Sequence, residues 1–192
     1  MQKMALKDLS DHLKIVQRQV DEGAADVIAD ISDIIIKAFQ NDQKVIIFGN
    51  GGSAADAQHI AAEFVGRFQM ERKALPAIAL STNTSNLTCL SNDYGFEIIF
   101  ERQIEAIGRA GDVAIGLSTS GSSGNVIKAI EKAKSISMKT VAFIGQKKSP
   151  LESVCDIVYK VPSDNTARIQ ESHILAGHIV CHLVELALFK DE

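Results

Sequence analysis

Val45-Ile46-Ile47-Phe48-Gly49-Asn50-Gly51-Gly52-Ser53 decides the fold: a short apolar run passes directly into glycines, an amide and a hydroxyl. Four apolar residues in succession suit a strand covered on both faces, and the Gly/Asn/Ser cluster suits a turn into a helix. The same pattern recurs. Residues 77–80, 113–117, 140–144 and 157–161 are further short apolar or β-branched runs, separated by longer amphipathic stretches. That alternation predicts an α/β protein, a three-layer sandwich around a five-stranded parallel sheet.

Outward from this core, Leu6, Leu9, Leu13, Val16 and Val20 repeat at helical spacing, as do Val27, Ile31, Ile34, Ile35 and Ala38 beyond Gly23-Ala24. Residues 1–40 are thus a leading helical pair, whose apolar stripes must be buried on the core or on another subunit. Residues 41–192 form the α/β core. Residues 166–189 contain no proline and carry a broad apolar face from Ile169 to Leu188, which predicts a long C-terminal helix. No repeat or low-complexity linker divides the chain, so one domain over 1–192 is expected.

The chain has 192 residues, 46% apolar and 23% charged, with a net charge of −4. This is a globular composition that offers no general attraction to nucleic acid or an anionic membrane, so an anion must be held in a local pocket. The apolar runs are too short to span a bilayer, and the first twenty residues mix Lys, Asp and Gln, unlike a secretory leader. Three cysteines without Cys-x-x-Cys spacing suit a reducing cytoplasm and are expected to be buried as small apolar residues.

Two loops have the character of anion sites. The first, Gly49 to Ser53, is neither Gly-x-Gly-x-x-Gly nor a P-loop, because Ala54 and Ala55 follow and no Gly-Lys-Ser/Thr is present. The second reads Ser118-Thr119-Ser120-Gly121-Ser122-Ser123-Gly124-Asn125 ahead of an apolar helix. So many hydroxyls exceed what one N-cap needs, and with helix N–H groups they can bind a phosphate without Lys or Arg. Both loops follow parallel strands and so open on one edge of the sheet.

Acid–base and metal-ligating residues lie on two helical stretches. His59 and Glu63, four apart after the first loop, share a helix face. The C-terminal helix carries Arg168-Ile169-Gln170-Glu171 and then His173, His178 and His182; His178 and His182 form a rival pair at the same spacing. Gln170 and His178 are separated by ~12 Å of rise on a regular helix. To share one ion, either the helix must begin near Gln170 or the two must come from different subunits. Arg67, Arg72 and Lys73 read as a solvated helix end, although Arg67 lies one turn beyond Glu63 and could meet substrate. His12 reads as surface, and His173 and His182 as hydrogen-bonded helix residues.

The loop at 49–53, the His59/Glu63 pair, Asn92-Asp93, Ser118-Thr119-Ser120-Gly121 and Arg168-Ile169-Gln170-Glu171 with His178 together resemble the phosphoheptose isomerases of the sugar-isomerase (SIS) family. The resemblance covers essentially the whole chain. It implies the flavodoxin-like SIS fold, a homotetramer with active sites at subunit interfaces, and one zinc ion held by His59, Glu63, Gln170 and His178. It implies substrate contacts from Asn50, Gly51, Gly52, Glu63, Asn92, Asp93, Ser118, Thr119, Ser120, Ser123 and Gln170. It also implies that Glu63 and His178 form the proton-transfer pair that converts sedoheptulose 7-phosphate to D-glycero-D-manno-heptose 7-phosphate in the cytoplasm. Some relatives have an acidic residue where Ala167 stands, and the nearby Asp164 is a candidate substitute.

Two alternatives remain at this level. A non-catalytic relative in the family binds the bacterial replication initiator and lacks the acid–base pair; Leu188-Phe189 resembles its C-terminus, whereas Glu63 and His178 favour the enzyme. An isomerase of another ketose phosphate is the other, since the loops recognise phosphate better than chain length.

Overall fold

The structure, a computed structural model, describes residues 1–190. Helices α1 (Gln2–Asp21) and α2 (Ala24–Gln40) precede strand β1 (Val45–Gly49), which turns into α3 (Gly52–Val65). Strand β2 (Ala77–Ala79), helix α4 (Thr84–Tyr94), a 3-10 turn (Phe96–Ile98) and α5 (Glu101–Ile107) lead to β3 (Val113–Ser118). Then come α6 (Gly124–Ser135), β4 (Lys139–Ile144), α7 (Leu151–Val154), β5 (Ile157–Lys160) and α8 (Thr166–Phe189).

The five strands are all parallel and are ordered β2-β1-β3-β4-β5. Alternation along each strand divides the core into two layers. Val45, Ile47, Val113, Ile115, Val141 and Phe143 pack with α2, α3 and α8, whereas Ile46, Phe48, Ala114, Ala142 and Ile144 pack with residues of α5, α6 and α7. This is the three-layer sandwich expected from the apolar runs. Strand order reverses between β1 and β3, so the crossovers leave in opposite directions and the two loops face each other across that point.

Helix α8 runs unbroken through the whole expected segment. Contrary to the expectation from the short apolar runs, this helix is in length and composition sufficient to cross a membrane. Its buried Ile169, Ala176, Val180 and Val184 instead lie against the sheet layer, as in the core helix of a globular fold. The stripe on α1 is different: Leu6, Leu9, Leu13 and Val20 are each more than 60% exposed. Buried Gln19 on this helix donates a hydrogen bond to the Tyr159 hydroxyl of β5.

The cysteine expectation holds for one residue. Cys181 is buried, and burial pushes its thiol up to about 12. Cys155 is half-buried, and Cys89 is exposed because α4 contributes no fully buried residue. Asp112, just before β3, is buried and accepts from Lys44 N and Arg109 N while pairing with Lys44 Nζ. It pins the start of β3 to that of β1.

His173 is wholly buried on α8, with Nε2 3.4 Å from the Ile144 carbonyl. Burial pushes its imidazole from 6.5 down to about 4, against the opposing pull of that carbonyl. The folded protein therefore keeps the ring neutral where the unfolded chain already takes a proton. Its contribution is complete above about pH 6.5 and is lost as pH falls toward 4, by about 3 kcal/mol. Thermal unfolding between pH 7.5 and 4 should show this acid slope, and His173→Phe should flatten it; identical slopes would disprove the assignment.

Candidate active site

Strand β1 delivers the chain to Asn50 and Gly51 at the carboxyl edge. Gly51 has φ 55° and ψ −121°, a left-handed geometry that side chains resist, and it turns the backbone so that α3 starts at Gly52. The β3 loop arrives alongside. Asn50 and Asn125 exchange two amide hydrogen bonds of 2.9 Å across the switch point and lock the loops together. Asn125 was not expected as a site residue, and nothing in its local sequence identifies a partner 75 positions away.

Within the β3 loop, buried Ser118 has its Oγ 3.0 Å from Ser123 Oγ and accepts from Gly121 N. Ser120 Oγ accepts from the Ser122 hydroxyl and N–H. The hydroxyls thus organise one another around the N-terminus of α6. A cavity of about 270 Å³ opens there, lined by Asn50, Gly51, Gly52, Ser118, Thr119, Ser123, Thr166 and Gln170. Ser120 lines a smaller neighbouring cavity of about 100 Å³ with Thr119, Lys147, Asp164 and Thr166. Three helix N-termini, those of α3, α6 and α8, meet around these cavities, and their N–H groups and dipoles favour an anion. Asn92 and Asp93 stand apart from both cavities, exposed at the end of α4, where Asn92 donates to Asp93.

The second part of the site lies farther along the same helices. His59 Nε2 is 3.0 Å from Glu63 Oε1 and 3.3 Å from His178 Nε2. Ligand atoms of the three residues lie within 4.8 Å of one another. Two imidazole nitrogens and a carboxylate oxygen converging in this way fit a divalent cation of the zinc type. His182 lies outside this trio, beside Phe68, whose ring stacks on His178 at 5.6 Å between centroids. Asp56, one turn before His59, has a buried and unpartnered Oδ2, and burial raises its carboxyl to about 6 against the pull of His59. Its spacing to His59 was the only signal in the sequence.

Gln170 and His178 are on one regular helix and serve different parts of the site. Gln170 packs on Gly52, where a Cβ would lie 2.4 Å from its Nε2, and His178 meets His59 two turns on. Of the expected zinc set, three residues converge within the chain and Gln170 borders the anion cavity. Arg67 is exposed and pairs with Glu71. Arg72 corrects the solvated reading, because its side chain is 1% exposed and ion-paired with an equally buried Glu185. His12 is not free surface either; its Nδ1 is 3.0 Å from Glu171 Oε2.

A five-stranded parallel sheet with paired loops at its switch point, and beside them a His59, Glu63 and His178 group that could hold a metal ion, is the arrangement of an SIS-domain protein. A family model of the SIS domain matches residues 10–145. Phosphoheptose isomerase of Aquifex aeolicus is 56% identical over 161 residues, 84% of each chain, and that of Trichlorobacter lovleyi is 49% identical over 98% of this chain and 96% of the relative. The solved phosphoheptose isomerase of Neisseria gonorrhoeae superposes with a TM-score of 0.91 at 38% identity, covering 96% of this chain and 98% of that one. The chain belongs to the phosphoheptose isomerase family.

Gly52→Ala should fold, because the obstructing atoms are the far end of the flexible Gln170 side chain. By displacing that amide it should weaken sugar-phosphate binding about tenfold, or about 1.4 kcal/mol, in titration calorimetry. Unchanged affinity would remove Gln170 from the binding pocket.

Proposed function

We propose that this protein interconverts sedoheptulose 7-phosphate and D-glycero-D-manno-heptose 7-phosphate, with Glu63 and His178 as the acid–base pair. The observation that carries the reading is their meeting in one group with His59, although 115 residues separate them in the chain. The family names and the hydroxyl-lined cavity add the phosphorylated sugar. The non-catalytic alternative has no use for a converging carboxylate and imidazole.

The chemistry asks for two proton movements. A base takes a proton from C1 of the ketose while the C2 oxygen gains one; the enediol is then protonated at C2 as the C1 hydroxyl gives up its proton. Glu63 and His178, on neighbouring helices, serve carbon and oxygen in turn. Ser118, Thr119, Ser120 and Ser123, with Asn50, Gly51, Gly52 and the helix N–H groups, hold the phosphate and thereby fix the reacting carbons. Asn92 and Asp93, which stand apart from the cavities of their own chain, contact the sugar chain across a subunit contact in this reading. Zinc is the cofactor we assign to His59, Glu63 and His178, with Gln170 of the expected set supplied across a subunit contact. Bound there, zinc supplies electrophilic polarisation of a carbonyl oxygen.

The same reading makes the protein a cytoplasmic, single-domain homotetramer with its sites at interfaces. Support for the assembly is the exposed leucine stripe of α1 together with Leu175 and Ile179 of α8, which a single chain leaves uncovered.

Glu63→Gln and His178→Gln should each lower turnover at least about 10²-fold with the oligomer intact. Near wild-type rates in either variant would remove that residue from the mechanism. Chelation should abolish activity and zinc should restore it. Leu9→Glu with Leu13→Glu should give a smaller species in light scattering, and an unchanged mass would show that α1 is not an interface.

A further inference from the structure

A buried ion pair takes no part in the proton transfers yet bonds the backbone of Glu63 and the backbone of Phe68, whose ring lies on His178. Arg72 and Glu185 are each 1% exposed at the side chain, with Arg72 Nε 3.1 Å from Glu185 Oε1. Arg72 Nη2 donates to the Glu63 carbonyl at 2.8 Å; its Nη1 reaches the carbonyls of Phe64 at 2.7 Å, Gly66 at 3.1 Å and Lys73 at 3.0 Å. These include carbonyls at the end of α3 that have no helical partner, and a cation at that end also suits the helix dipole. Glu185 accepts from the N–H groups of Phe68 at 3.1 Å, Gln69 at 2.7 Å and Met70 at 2.9 Å.

The consequences reach both reacting groups. Arg72 holds the backbone of Glu63 itself. Glu185 holds the backbone of Phe68, whose ring lies on His178, and it sits two turns beyond His178 on α8. One ion pair therefore ties the end of the helix carrying the carboxylate to the helix carrying the imidazole.

We propose that Arg72 and Glu185 are positioning residues that set the separation of Glu63 and His178 during turnover. This rests on the isomerase reading above. The phosphate cavity lies at the opposite ends of both helices, so loosening the clasp should affect the chemical step and leave substrate capture intact. A merely structural pair would lower stability without changing the rate per folded molecule.

The test uses the full-length enzyme with sedoheptulose 7-phosphate, at a temperature where each variant is folded by near-UV circular dichroism. Arg72→Lys keeps the charge opposite Glu185 and cannot span the Glu63, Phe64 and Gly66 carbonyls together. It should lower kcat at least tenfold with KM within twofold. The double variant Arg72→Met/Glu185→Leu removes both buried charges, so it can fold well and should still show the kcat loss. Asp112→Asn, which disturbs the buried pair with Lys44 away from the site, is the control for destabilisation. Wild-type kcat in Arg72→Lys and the double variant would overturn the inference, as would an equal loss in Asp112→Asn. Absence of turnover in the wild-type enzyme would instead overturn the functional reading, so the two failures are distinct.

Discussion

Helices α3 and α8 must lie side by side, parallel and very close, for this site to exist. A Cβ on Gly177 would stand 2.6 Å from Ile60 Cδ1, and one on Gly52 would meet the end of the Gln170 side chain, so at both contacts the two helices leave no room for a further carbon unless that neighbouring side chain moves. The Gly177–Ile60 contact lies next to His59 and His178, whose ring nitrogens stand 3.3 Å apart. Both helices begin at the carboxyl edge of the sheet, so this packing also aligns their N-termini on the anion cavity. The anion cavity at one end and the His59, Glu63 and His178 group at the other are consequences of one helix pair.

The strand ladder explains why those helices are neighbours. With order β2-β1-β3-β4-β5, α3 crosses from β1 toward one edge and packs on the layer that also receives α2 and α8. Helix α6 leaves β3 in the other direction and packs on the opposite face, yet its N-terminus stays beside Asn50 because β1 and β3 are adjacent. A right-handed connection at each crossover gives this division without further instruction.

Much of this was legible in the residues. Runs such as 45–48 and 113–117 identified strands to within a residue or so, because continuous apolar sequence bounded by Gly, Ser or Asn has few other uses, and 166–189 lacks any helix breaker. His59 and Glu63 were legible as a pair because helical spacing alone joins them. Relations across the fold were not. Arg67, Arg72 and Lys73 read as a solvated helix end, and only the fold brings Glu185, 113 positions beyond Arg72, to bury that residue. Asn50 with Asn125 is a similar case. Gln170 joins the metal group by family resemblance alone; its rise along α8 keeps it at the anion end within one chain, so a second subunit would have to bring it to the ion.

Stability alone does not account for the Arg72–Glu185 pair, since desolvating two charges costs several kcal/mol and an apolar pair of similar volume is often as good or better. What an apolar pair could not do is satisfy four carbonyls and three N–H groups around the end of α3. Burial pushes the Glu185 carboxyl up, but the N–H groups of Gln69, Met70 and Phe68 and the Arg72 guanidinium together outweigh it and leave it below the ordinary glutamate value. The charge is therefore kept, and with it the hydrogen bonds that hold the loop from Gly66 to Lys73. That loop has no strand or helix of its own to order it, yet it carries the Phe68 ring that backs His178. Its order has to be imported from α8, and a fixed carboxylate is the side chain that can supply it through backbone N–H groups.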